Sequence, residues 1–248
     1  MARGIGGAPL AFGCRQLACR CRLSPRGADV VVLQSLWNAL GGLLDRPLGR
    51  DLPLDGEYGP ETAAATAALQ RHFGLFADGV VGPSTCFVLG HGAGAHATYG
   101  GPPLGSRPLR QGDSGGDVYV LQNRLAVLGG LLRPADGTAD AVTLRALASF
   151  QAEQGLPAGP LDAPTANALI VRSLAGGRAV WSGRNGLDVA WVQRRLQRGG
   201  GYAGPVDGLC GPETASAVRA FQGRCHLVSD GVVGPDTFAA LGTAGNAN

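Results

Sequence analysis

Lysine is absent from the chain of 248 residues, so arginine supplies all 21 of its basic side chains. The formal net charge is only +3 at pH 7, which by itself is too weak to indicate nucleic acid as a partner. No apolar run approaches the roughly 20 residues that a transmembrane helix requires. We therefore predict neither a nucleic-acid partner nor a transmembrane segment.

Residues that bind metals or bridge as disulfides are few and poorly spaced. Cys14, Cys19 and Cys21 form a cluster without the paired C-x-x-C spacing of structural zinc sites. Cys210 and Cys225 are predicted at opposite ends of one helix, roughly 22 Å apart, which exceeds the reach of a disulfide. We therefore predict free thiols, no metal and no cofactor.

Catalytic patterns are also missing. His91 and His96 lack the i, i+4 spacing and the glutamate of a metalloprotease helix. Glycan cleavage needs two acids that converge on a groove, but Glu61 and Glu213 stand at predicted helix starts. We therefore predict that the chain is not an enzyme.

Turn-forming residues, in contrast, are abundant. The chain has 42 glycines and 16 prolines, while its 45% hydrophobic content argues against disorder. The hexapeptide DGVVGP occurs at 78–83 and again, unchanged, at 230–235. It is either a ligand loop or a turn that a repeated fold requires. Asp-Gly forms a tight turn and proline suits a helix start, which favours the turn.

A threefold repeat surrounds this hexapeptide. In each copy an aspartate precedes a glutamine by five residues, and an Asp-Gly pair follows downstream. A threonine stands seven residues after the aspartate of that pair, and a second glutamine eight residues after the threonine. Such fixed spacing indicates three tandem copies of one fold. The first aspartates and glutamines are Asp29, Asp117 and Asp188, and Gln34, Gln122 and Gln193.

Each copy predicts three helices. Apolar residues of the first helix recur at i, i+3, i+7 and i+10, in copy one as Val30, Leu33, Trp37 and Leu40. A Gly-Gly pair ends that helix. Pro60 starts the second helix, and the hexapeptide starts a short third helix.

The predicted architecture is all-α, with three tandem small three-helix modules joined by Gly/Pro-rich linkers. Module 1 spans residues 28–90, module 2 spans 109–171 and module 3 spans 181–242. The remaining segments are a basic leader that we expect to be disordered, two linkers and a tail, at 1–27, 91–108, 172–180 and 243–248.

The motifs DVVVLQSLW, DGEYGPET and DGVVGPST of copy one resemble the three-helix peptidoglycan-binding domain of bacterial cell-wall hydrolases and spore-cortex-lytic enzymes. Copy three matches almost throughout, with Cys210 in place of Tyr58. Copy two is degenerate, with DGTADAVT and AGPLDAPT at the two turn motifs, which puts its binding competence in question.

This resemblance implies non-catalytic attachment to peptidoglycan by tandem modules, through the glycan strand or the stem peptide. A cell-wall hydrolase is then a candidate partner. The implied location is the cell envelope, extracellular or spore-associated, although no clear signal peptide is visible and synthesis in the cytoplasm or mother cell fits too. Two alternatives stay open: a scaffolding protein, for example of a spore layer, and an enzyme of unrecognised chemistry.

Side chains near predicted loops or helix ends are candidates for ligand contact. Sugars favour aromatic platforms, and an arginine can pair with a stem-peptide carboxylate. The repeated aspartates and glutamines are expected to be caps and internal hydrogen-bonding groups instead. The candidates are Tyr58, Arg71 and His72 in copy one, and Tyr202, Arg224 and His226 in copy three.

Overall fold

The computed structural model describes residues 26–46, 48–90 and 102–244. These residues contain nine α-helices, three in each module, and no strand beyond isolated β-bridges. The predicted all-α architecture is confirmed. In chain order the helices are α1 (Ala28–Gly41), α2 (Pro60–His72), α3 (Pro83–Val88), α4 (Gly116–Val127), α5 (Ala141–Glu153), α6 (Ala163–Ser173), α7 (Leu187–Arg198), α8 (Pro212–Arg224) and α9 (Pro235–Ala244).

The helix starts show how the degenerate second copy keeps the fold. Helix α2 begins at Pro60, directly after an extended glycine, because proline at this position needs no amide partner. In module 2, Asp140 and Asp162 precede α5 and α6, and their carboxylates accept hydrogen bonds from the backbone amides of Thr143 and Thr165. A side-chain cap therefore stabilises these helices where the Gly-Pro motif is missing.

The core consists of two hydrophobic clusters: one includes residues of all three modules, and the other lies mostly within module 3. A single cluster of buried residues includes Val30 of module 1, Leu121 of module 2 and Leu187 of module 3. Helix α1 packs against α6, and α4 packs against α9, so the first helix of one module meets the third helix of the next. Modules of this size are marginally stable alone, and the shared core adds buried apolar surface.

Module 3 also contacts module 1 directly. Helix α1 packs against α7. The backbone amide of Asp45 donates to the carbonyl of Val206 at 2.9 Å, and the Asp45 carboxylate accepts from the Val206 amide at 2.7 Å. Arg194 of α7 forms an ion pair with the same carboxylate at 3.2 Å. Each module therefore contacts both of the others.

The segments between the modules differ from one another. Residues 1–25, 91–101 and 245–248, which hold most of the predicted leader, first linker and tail, lie outside the described residues. In the second predicted linker, residues 175–180 are irregular but buried, and Arg178 is 0% exposed. This stretch is part of the packed molecule and is not an exposed tether.

Candidate functional site

A buried glutamine holds each first Asp-Gly turn. In module 3, the Nε2 of Gln193 donates to Asp207 Oδ1 at 2.9 Å, and its Oε1 accepts from the Gly208 amide at 2.9 Å. The Asp207 carboxylate also accepts from the backbone amide of Leu209 at 2.9 Å, which is the geometry of an Asx turn. The prediction that the repeated glutamines, and the aspartates of the Asp-Gly pairs, are internal hydrogen-bonding groups is confirmed.

The hexapeptide DGVVGP forms the same turn a second time in each outer module. Gln70 Nε2 donates to Asp78 Oδ1 at 2.9 Å, and its Oε1 accepts from the Gly79 amide at 2.9 Å. Gln222 holds the matching turn of module 3 through the amide of Gly231 at 2.8 Å. Gly79 has a φ of +68°, a conformation that residues with a Cβ adopt at a cost. The hexapeptide therefore recurs because this turn recurs.

A pocket of about 220 Å³ opens beside that turn in module 1. Phe76 flanks it, and 86% of this side chain is exposed. Backbone and side-chain hydrogen bonds from Val80 and Gln70 lower the pKa of Asp78, so this carboxylate is charged at neutral pH. The lining residues are Gln70, Leu75, Phe76, Asp78, Val80, Gly82, Pro83, Ser84 and Thr85.

The chemistry of this pocket is suited to binding. An exposed aromatic ring offers a flat apolar face, and a few fixed polar groups beside it can orient a ligand. The matching position of module 3 is Val228, which is 80% exposed, and that of module 2 is Pro157. The aromatic surface is therefore specific to module 1.

Two predicted contact residues lie in the core. Tyr58 is 0% exposed, and its hydroxyl lies 2.7 Å from Thr66 Oγ1 and 2.8 Å from the carbonyl of Gly79. Tyr202 is 9% exposed, its hydroxyl donates to the carbonyl of Pro205 at 2.9 Å, and burial raises its pKa. This placement corrects the prediction that a ligand reaches these tyrosines. Their hydroxyls are satisfied internally because each ring fills its module's core.

Arg71 and His72 are exposed at the end of α2. The Nε2 of His72 lies 3.1 Å from the carbonyl of Asp207, and its ring meets Phe73 edge-on. His72 therefore lies at the contact between modules 1 and 3. Because α2 is 13 residues long, Tyr58 before its start and this pair at its end lie roughly 20 Å apart. The structure does not bring the three candidates of copy one together.

Arg224 and His226 are exposed at the end of α8. The guanidinium of Arg224 lies 5.9 Å from the centre of the Phe221 ring. His226 has a φ of +56°. Contact between these residues and a ligand stays a prediction.

An Arg–Asp pair at the entrance to the first helix is not predicted from the sequence. Arg178 Nε donates to Asp188 Oδ2 at 2.7 Å, and its Nη2 donates to Oδ1 at 2.8 Å. Arg107 and Asp117 form the same pair in module 2, at 2.7 and 2.9 Å. The signal in the sequence is an arginine ten residues before the repeated aspartate. The pair in module 3 is fully buried, whereas Arg107 is 40% exposed.

Metal ligands do not cluster in the described part of the chain, where no three His, Cys, Asp or Glu side chains could hold an ion together. Cys86 is buried, and the thiols of Cys210 and Cys225 are free and flank α8 as predicted. Burial raises the pKa of Cys210 to about 11. The cysteine cluster 14–21 and both histidines of the first linker lie outside the described residues.

Helices that could cross a membrane are also missing from the described ranges, since none there combines sufficient length with sufficient apolar character.

Comparison with curated proteins identifies partial relatives. N-acetylmuramoyl-L-alanine amidase CwlL of Bacillus licheniformis is 29% identical over 164 residues, which are 54% of this chain and 45% of that protein. A probable N-acetylmuramoyl-L-alanine amidase of the same species is 31% identical over 157 residues, 54% of this chain and 44% of that protein. N-acetylmuramoyl-L-alanine amidase CwlM of Mycobacterium tuberculosis is 45% identical over 56 residues, 23% of this chain and 14% of that protein. The chain thus spans less than half the length of each of these relatives.

No solved structure matches the chain significantly. A family model described as a putative peptidoglycan binding domain matches residues 26–89, 114–169 and 185–241. These ranges coincide with the three helical modules and cover well over half of the chain. The chain therefore belongs to the putative peptidoglycan binding domain family and contains three tandem copies of that domain.

Proposed function

We propose that the protein binds bacterial cell-wall peptidoglycan without cleaving it, and that it anchors itself or a partner hydrolase to the wall. The observation that carries this proposal is the threefold family match, whose three ranges coincide with the three packed modules. The relatives are named as amidases but match only partly. An amidase is therefore the class of hydrolase that we propose as the partner, in the cell envelope or in spore cortex.

The pocket of module 1 is the proposed contact with the glycan strand. Phe76 provides the stacking face, and Ser84 and Asp78 provide polar groups beside it. Because the modules are packed together, their binding surfaces have fixed relative positions. Binding through several surfaces on one polymer raises the apparent affinity only where that spacing fits the polymer.

Sedimentation with insoluble peptidoglycan tests this function. We expect the whole chain to sediment with the wall material, and Phe76→Ala to weaken binding roughly 3- to 10-fold through loss of the stacking face. Val228→Ala, at the matching exposed position of module 3, is the control and should bind almost as the wild type does. Absence of the wild-type chain from the pellet would overturn the proposal.

A second candidate function is scaffolding, for example in a spore layer. It is supported by the packing of first helices on third helices of neighbouring modules, which shows that these helix faces form protein contacts within the chain. Scaffolding predicts association of the chain with itself or with coat proteins, and no binding to purified wall. A zymogram on peptidoglycan tests for an enzyme: clearing by the purified chain alone would contradict the non-catalytic proposal.

A further inference from the structure

An arginine lies against two aromatic rings where module 3 meets module 1. The guanidinium carbon of Arg184 lies 3.6 Å from the centre of the Trp181 ring and 4.8 Å from the centre of the Phe87 ring. Phe87 belongs to α3 of module 1, whereas Trp181 and Arg184 precede α7 of module 3. Contact with two aromatic rings restricts the rotation of a long side chain. The planar guanidinium is therefore oriented before any ligand arrives.

The guanidinium of Arg184 has no hydrogen-bond or ion-pair partner among the described residues, and its buried Nε is unpaired. Phe87 also contacts Arg178, whose guanidinium carbon lies 3.9 Å from the ring centre. Burial lowers the pKa of Arg184, and the charge of Arg178 lowers it further. Arg178 is itself paired with Asp188. Arg184 is thus a half-buried cation that pairs with no carboxylate of the described residues.

Positive side chains outnumber negative ones around Asp188. The fully buried Arg124 donates to the Ser173 hydroxyl at 2.7 Å and to no carboxylate in the described residues. Asp188 is the acidic group that acts on both Arg124 and Arg184. The segments outside the described residues contain no aspartate or glutamate, so no side-chain carboxylate from them can supply the missing charge. Three arginines here therefore share one aspartate.

Module 2 differs at the corresponding positions. Counted from the repeated aspartate, Asp113 takes the place of Arg184, and Arg110 takes the place of Trp181. The Asp113 carboxylate accepts a hydrogen bond from the Arg110 backbone amide at 2.7 Å. The stacked tryptophan and the unpaired cation are thus features of module 3, and the repeated fold does not require them.

We propose that Arg184 and the exposed part of Trp181 form a binding site for a terminal carboxylate of the peptidoglycan stem peptide. A guanidinium matches a carboxylate with two parallel hydrogen bonds, and its prior orientation lowers the entropic cost of forming them. Trp181 is 36% exposed and offers an apolar surface for the side chain next to that carboxylate. The inference rests on the proposed function for the source of the carboxylate.

Calorimetric titration of the full chain with two soluble muropeptides tests this site. One muropeptide ends in a free carboxylate and the other in the corresponding amide. We expect the wild type to bind the free acid at least roughly tenfold more tightly, because a charged hydrogen bond is lost with the amide. Arg184→Ala should remove this preference, and Arg184→Lys should restore it only in part, since lysine lacks the planar fork.

The control variant is Arg110→Ala, which removes an exposed arginine from the matching loop of module 2 and should keep the preference. Thermal unfolding of every variant establishes that it is folded. Equal binding of the two muropeptides by the wild type would overturn the site, and so would a preference that persists in both Arg184 variants. A wild type that sediments with peptidoglycan but lacks the preference contradicts only this site. Failure to sediment and to bind either muropeptide contradicts the proposed function as well.

Discussion

At the scale of single residues, His226 adopts a left-handed backbone conformation that glycine adopts at the matching positions of the other two modules. Its φ is +56°, whereas Gly74 and Gly155 hold the matching positions of modules 1 and 2 at +68° and +65°. A side chain with a Cβ in the left-handed region costs roughly 1–2 kcal/mol. A strained residue at an exposed helix end supports a functional role for it.

Replacement of His226 by glycine should therefore stabilise the protein by about 0.5–1 kcal/mol, since the strain relieved exceeds the added freedom of the unfolded chain. Gly74→Ala is the reciprocal control, because its Cβ would meet no atom within 4 Å and only backbone strain would change. We expect it to destabilise by about 1 kcal/mol. Urea unfolding measures both changes, and a loss of stability in His226→Gly would contradict the strain argument.

The turn aspartates predict how stability depends on pH. Hydrogen bonds, first from the Val80 amide and then from Gln70, hold the pKa of Asp78 below its ordinary value of 3.8. A depressed folded-state pKa contributes stability that is fully present above the unfolded value and lost as pH falls through the folded value. The free energy of unfolding should therefore decrease as the pH is lowered below about 4. Asp78→Asn should make this decrease shallower.

The control for this variant is Asp51→Asn, which neutralises an exposed carboxylate outside the Asp-Gly turns and should leave the acid slope close to that of the wild type. Unfolding in urea at a series of pH values between about 2 and 6 provides the measurement. Identical slopes for Asp78→Asn and the wild type would show that this turn does not contribute to the acid limb.

At the scale of elements, the six glutamine-held turns are unequal. Gln222 Nε2 donates to Asp230 Oδ1 at 2.9 Å, to the carbonyl of Val232 at 2.9 Å and to the Thr237 hydroxyl at 3.1 Å. Gln151, in the degenerate copy, makes its bonds at 3.2–3.3 Å, and its turn has no aspartate to bind. The Asp162 cap at the start of α6 supplies a hydrogen bond that partly compensates for the missing aspartate of this turn.

Gln222→Leu should therefore destabilise the protein by about 2–4 kcal/mol, because it leaves a buried amide and a carboxylate without their partner. Gln151→Leu is the matched variant, because both glutamines are 1% exposed and leucine replaces each of them. Its loss should be about half as large. Chemical unfolding of both variants checks the comparison, and equal losses would show that the aspartate adds nothing to the turn.

At the scale of the whole molecule, the buried Arg178–Asp188 pair secures the junction between modules 1 and 3. Arg178 lies in the irregular segment after α6, pairs with the first turn of α7 and stacks on Phe87 of α3. The Arg178 side chain thus contacts modules 1 and 3, and its position in the sequence directly follows module 2. Its exposed counterpart in module 2 is Arg107.

Arg178→Met should cost about 3–5 kcal/mol, because the buried Asp188 carboxylate loses its ion-pair partner and the two hydrogen bonds that Arg178 donates to it. Arg107→Met makes the same chemical change in the matching pair, where solvent reaches the arginine, and should cost less. Thermal and urea unfolding give the two values. A larger loss for the Arg107 variant would contradict the importance of burial at the three-module junction.

The helices and turns follow from local sequence. The apolar spacing of Val30 and Leu33, the proline at position 60 and the Asp-Gly pairs act within one module, and their periodicity predicts all three helices of each copy. The same local signals indicate that the glutamines are structural. Contacts between modules are not predicted by local sequence patterns, because they depend on how the helices pack once they have formed.

Tertiary packing decided the remaining features. It buries Tyr58 and Tyr202, although their positions in the sequence motif predict that they lie near loops. Each aromatic ring fills space in the core that no other side chain occupies. It joins Phe87 to Arg184, which no spacing rule connects, because these residues belong to modules that meet only when they pack against each other. The sequence by itself thus determined the family and the repeated turn. Only the tertiary structure decided that three marginal modules form one body, with its surfaces at fixed positions.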